Sequence, residues 1–145
     1  MKAYITLVAL ILAGCTGDTE HPHLDGEFIP DVEPTIEWLI NANHPIIQGE
    51  GGVARYREGA YSEDPLLHRW NNGNLVVKIT KDWEQPWSRS WKKIDAHTYQ
   101  TVIPANGLNT EVTNIFTITG EDTYYVEIRV NGCTTREYYT RKQAE

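Results

Sequence analysis

The sequence predicts a mainly β domain: an antiparallel meander that closes into a small barrel, with one short helix near its N-terminus. Three observations predict it. Asn72-Gly73 and Asn131-Gly132 each stand between two β-forming runs, and Asn-Gly supplies the two positive φ angles that a tight hairpin turn requires. Tyr124, Val126, Ile128 and Val130 fall on one face of an extended chain, and Tyr125, Glu127 and Arg129 on the other. A helical period occurs convincingly only once, at Ile36, Leu39 and Ile40.

The chain opens with Lys2 and an apolar run from Ala3 to Ala13, stopped by Thr16, Gly17, Asp18 and Glu20. A bilayer-spanning helix needs about 20 apolar residues, so this run reads as an export signal and not as part of the fold. Its end, Leu12-Ala13-Gly14-Cys15, resembles the lipobox of bacterial lipoproteins. The resemblance implies a diacylglyceryl thioether on Cys15, cleavage before it, and acylation of the new amino terminus. Several acyl chains anchor strongly, because each buried methylene contributes about 0.8 kcal/mol. Thr16, where an Asp would favour inner-membrane retention, implies the outer membrane of a bacterial envelope. The expected organisation is a signal peptide over 1–14, the lipidated cysteine with a polar tether over 15–24, and one domain over 25–145.

The 145 residues suit one domain with a processing segment. Thirteen Lys and Arg against twenty Asp and Glu give a formal charge of −7, and removing residues 1–14 makes the mature chain one charge more negative. That balance argues against nucleic acid or an anionic lipid surface as an electrostatic partner. Five Trp and eight Tyr stand against two Phe; both favoured rings suit places that are half apolar and half polar.

Within the domain, residues 33–45 form the helix candidate, with Pro34 where a helix start tolerates it and Pro45 ending it. Residues 46–65 are Gly-rich and carry no clear period; Gly49-Glu50-Gly51-Gly52 reads as a turn and lacks the context of a phosphate loop. From Leu66 the pattern is β: 66–70 with 74–80, then 87–94 with 97–104, then 111–119 with 123–130, then 133–142. A two-residue turn at Asn131-Gly132 sets Val130 against Cys133, Ile128 against Thr135, Glu127 against Arg136 and Tyr125 against Tyr138. Short turns joining consecutive strands predict a barrel of eight to ten strands.

Leu24-Asp25-Gly26-Glu27-Phe28 looks like the start of a lipocalin-like (calycin) domain, with Phe28 in place of the usual Trp. The final hairpin, with Thr135-Arg136-Glu137-Tyr138, is similar to the C-terminal hairpin of intracellular fatty-acid-binding proteins, a related calycin group. The resemblance implies that Arg136 and Tyr138 point inward and hold a ligand carboxylate, for which Arg is well suited. The residue pairing favours the opposite orientation. Glu127 faces Arg136 and would neutralise it on the outer face, leaving Val126, Ile128 and Cys133 to line the interior.

Trp83, Trp87 and Trp91 are spaced by four. They read either as packing inside the barrel or, next to Arg89 and Lys93, as a stacking platform or pocket rim, and Pro86 suggests an edge or bulge. With Cys15 lipidated, Cys133 has no internal disulfide partner; it reads as a small buried hydrophobe, with a reactive or intermolecular thiol as the alternative. His21, His23 and Asp25 make a weak metal pattern, and His44, His68 and His97 show no ligand spacing. No metal or cofactor is expected. No catalytic motif is present, so the chain reads as a non-enzyme. The leading expectation is a lipid-anchored protein that binds a small apolar or amphipathic ligand in its barrel. Its polar candidates are Arg136 and Tyr138, with Trp83, Trp87 and Trp91 beside them. The rival is a structural or protein-interaction lipoprotein, inhibitor-like in one form, with a filled barrel.

Overall fold

The first strand, β1 (Gly26–Asp31), lies between the second and the last in space. The computed structural model describes residues 20–60, 66–80, 83–86, 90–103 and 110–144. Cys15, with the whole opening segment, and Trp87 lie outside them. The further strands are β2 (Leu67–Asn71), β3 (Asn74–Thr80), β4 (Trp83–Pro86), β5 (Lys92–Lys93), β6 (Thr98–Ile103), β7 (Val112–Ile118), β8 (Thr123–Val130) and β9 (Cys133–Arg141). They form one antiparallel sheet in the order β4-β3-β2-β1-β9-β8-β7-β6-β5. A meander whose first strand pairs with its last has curled back on itself. The described ladder ends at β4 on one side and at the two-residue β5 on the other, so the sheet is a curled half-barrel.

Both Asn-Gly turns form as expected, with φ of 47° and 77° at Asn72 and Gly73, and 48° and 75° at Asn131 and Gly132. The pairings Val130–Cys133, Ile128–Thr135, Glu127–Arg136 and Tyr125–Tyr138 are those the turn dictates. Among the described residues the expected pairing of 87–94 with 97–104 is present at Lys92 and Lys93, while Trp83–Pro86 pairs with β3.

The helix α1 spans Val32–Asn41 and ends where Asn43 turns the chain with a positive φ. Its buried residues are Val32, Thr35, Ile36 and Leu39. The stripe therefore begins one turn earlier than expected, and Ile40 is 54% exposed. β1 pairs with β9 only over Tyr138–Arg141, and α1 packs along the rest of that strand. Tyr138 N–H donates to Thr35 Oγ1 at 2.9 Å, tying the helix to the strand. A second helix, α2 (Gly52–Ala60), follows a single 3-10 turn at Pro45–Ile47. The expectation of one helix is corrected to two. The sequence hides α2 because Gly52 is its only buried residue, so it has no apolar period. Gly52 permits the close approach, since a Cβ there would lie 2.1 Å from the Ile47 carbonyl oxygen.

The core occupies the concave face. Phe28, Trp70, Leu75, Val77, Phe116, Tyr124, Val126 and Tyr139 all point into it, joined by Leu24. Trp91 packs against this cluster, its ring 5.7 Å from Trp70 and 5.1 Å from Phe116. Cys133 is exposed, contrary to its reading as a buried hydrophobe. It stands at the first position of β9, where the strand has only just left the turn.

Candidate functional site

A cavity of about 480 Å³ opens at the helical end of the half-barrel, between α2 and the paired ends of β1 and β9. That volume lies within the usual range for small-molecule pockets. Val32, Ala60 and Leu66 supply apolar wall; Tyr56, Glu137 and Tyr139 supply polar groups. Glu137 and Tyr139 are two apart on β9 and so project to the same, concave side. Tyr139 donates its hydroxyl proton to Glu137 Oε2 at 2.8 Å. Among the described residues no cation pairs with this carboxylate. Burial, and next the charge of Glu137, push the Tyr56 phenol up to about 12. The same two causes, in the same order, raise Tyr139 well above the usual phenol range. Both tyrosines therefore present neutral hydroxyls at physiological pH.

Beneath the cavity lies a stack of aromatic rings. The His68 ring stacks on Tyr139 with centroids 4.0 Å apart, and Tyr139 stacks on Tyr124 at 5.2 Å. Trp70 Nε1–H donates to the Tyr124 hydroxyl at 3.2 Å. That hydroxyl also shares a hydrogen bond of 2.6 Å with His68 Nδ1. Burial holds His68 neutral, lowering its pKa to about 3. On the β6–β7 side of the concave face, Thr101 and Asn114 pair across the strands. The Thr101 hydroxyl and the Asn114 amide are buried and have no partner among the described residues.

The residues singled out from sequence divide sharply. Arg136 is on the outer face. Its Nη2 donates to Glu127 Oε1 at 2.7 Å, and its guanidinium lies 4.2 Å from the Tyr125 ring centroid. Burial alone would push the Glu127 carboxyl up, but Arg136 and Arg129 outweigh it and hold the group below the usual carboxylate range. Tyr138 reaches the cavity wall, while its hydroxyl accepts from Arg136 Nη1 at 3.3 Å. Trp91 belongs to the core, with its Nε1–H donating to the Gly73 carbonyl at 3.0 Å. Trp83 stands on β4, and Trp87 and Cys15 lie outside the described residues. Thus the cavity takes Tyr138 from the expected set and leaves Arg136 out.

Sequence reasoning missed Glu137, Tyr139 and Tyr56. For the first two a signal existed: with Arg136 and Tyr138 outward, alternation turns Glu137 and Tyr139 inward. Tyr56 had none, because α2 was not legible. Near the N-terminus, the His21 and His23 rings are 5.2 Å apart. Among the described residues no group of three His, Cys, Asp or Glu side chains is placed to hold a metal. No family model, curated protein or solved structure matches the chain.

Proposed function

We propose that this protein binds a small amphipathic ligand in the cavity beneath α2, as a calycin-like binding module tethered to the outer membrane through Cys15. The observation that carries the reading is the cavity itself, roomy, apolar on one side and edged by Glu137 and Tyr56 on the other. Its floor is already held in place by the His68–Tyr124–Trp70 hydrogen bonds, and a preformed site lowers the ordering cost of binding. The ligand's apolar part would lie against Val32, Ala60 and Leu66. The described interior of the half-barrel is occupied by Trp70, Phe116, Tyr124 and Trp91. This favours a site at the helical end over one along the barrel axis.

The same filling supports the rival reading, a protein-interaction lipoprotein without a ligand. Native mass spectrometry of the protein purified from a bacterial envelope separates the two. A copurified mass of a few hundred daltons, lost when Ala60→Trp fills the cavity, is the expected outcome. A bare chain in both forms, with the variant still folded by its thermal transition, removes the ligand reading.

A further inference from the structure

We infer that the polar end of this ligand is a cation, an organic ammonium group held by the Glu137 carboxylate; the inference rests on the cavity being the binding site. One oxygen of Glu137 accepts from Tyr139, and the other has no partner among the described residues. The Tyr56 hydroxyl, likewise unpartnered there, adds a second acceptor at the wall. An ammonium group brings three donors and no acceptor, which is the complement of that set. A ligand carboxylate would instead meet a like charge.

Two arginines stand nearby, and among the described residues neither pairs with Glu137. Arg136 lies across the strand from Glu127 and is bound to it on the outer face. Arg55 contributes to the cavity wall, but its Nη1 turns back to donate to the Glu50 carbonyl at 2.7 Å, in an exposed position beside Gly51. The lining thus holds one carboxylate, Glu137, and one guanidinium, Arg55, and no ion pair joins the two among the described residues.

The test uses three probes with one chain and different heads: hexylammonium, hexanol and hexanoate. Each is titrated calorimetrically into the purified full-length protein at neutral pH and moderate salt. Hexylammonium is expected to bind at least tenfold more tightly than hexanoate. Glu137→Gln should erase that preference while hexanol binding remains, and Glu137→Asp should keep it in weakened form. Equal binding of all three, tighter binding of hexanoate, or a preference that survives Glu137→Gln overturns the cation and leaves the cavity reading standing. Ammonium binding that survives Ala60→Trp is surface attraction to an acidic chain and also overturns it. Failure of every probe on the unaltered protein overturns the cavity reading itself. Thermal transitions of the variants report whether they remain folded.

Discussion

The two faces of the β8–β9 hairpin are built from nearly the same residues and do opposite things. Outside, Tyr125 and Glu127 meet Tyr138 and Arg136; inside, Tyr124 and Val126 meet Tyr139 and Glu137. Each face holds two tyrosines and one glutamate. The outer glutamate has Arg136 and Arg129 at 2.7 Å and 3.0 Å, so its charge is answered within the protein. Among the described residues the inner glutamate has a phenol, Tyr139, as its partner and no cation. A face whose charges are mutually satisfied has little to offer a ligand, whereas an inward carboxylate without a cation retains binding capacity. Chemistry at this hairpin is thus set by which neighbours each face lacks.

The sharpest way to break the comparison is to remove one hydroxyl from each face, at adjacent positions. Tyr124→Phe leaves the Trp70 Nε1–H and the His68 Nδ1 without their common partner, both buried. An unsatisfied buried polar group costs about 1–3 kcal/mol, so the expected loss is about 2–4 kcal/mol in denaturant unfolding. Tyr125→Phe keeps its ring against Arg136 and should change stability by less than about 0.5 kcal/mol. Equal losses would mean that the inner hydrogen bonds carry no special weight.

The inner face should also make stability depend on pH in a range where the outer face does not. His68 titrates at about 3 when folded, because burial disfavours its charge, and near 6.5 when unfolded. Between those values the unfolded chain binds the extra proton. The contribution of His68 is therefore complete above about pH 6.5 and is lost as pH falls towards 3, at a limiting slope of about 1.4 kcal/mol per pH unit. His68→Phe keeps an aromatic ring against Tyr139 and removes the slope. Comparing the two unfolding curves from pH 6.5 to 5 checks this above the range where carboxylates titrate. Parallel curves would refute a neutral buried His68.

Much of this hairpin was legible in sequence because a two-residue Asn-Gly turn leaves the strands one register. The outward placement of Arg136 followed from that register, and it correctly opposed the orientation implied by the likeness to fatty-acid-binding proteins. The same alternation turns Glu137 inward, although it is the variable position of the Thr-Arg-x-Tyr pattern. Elsewhere the signals were weaker in themselves. α2 buries only Gly52, so no apolar period marks it. Ile40 continued a stripe whose buried members lie earlier in α1, where β9 has an uncovered edge. Cys133 looked like a core residue by type, but its place beside a turn exposes it. Local chemistry set the turns and the register, while the cavity depends on how α2 sits over β1 and β9, which is a tertiary fact.

The smallest effect separates the two glutamates. Glu127→Gln keeps one acceptor for Arg136 but removes the charge, and both partners are only partly exposed, 25% and 16% for the Arg136 and Glu127 side chains. Arg136 Nε is already buried without a partner, so the guanidinium depends on what Glu127 supplies. The expected cost is about 1 kcal/mol at neutral pH, between that of an exposed and a buried pair. The folded pKa of Glu127 is depressed, so this contribution is present above the usual carboxylate range and lost as acid protonates the group. The deficit of the variant should accordingly shrink on acidification. Probe binding should not change, because Glu127 faces away from the cavity. Glu137→Gln should do the reverse, sparing stability to within about 0.5 kcal/mol while altering which head group is preferred. If Glu127→Gln shifted that preference instead, the outer face would be the one that meets the ligand, and the division between the two faces would fail.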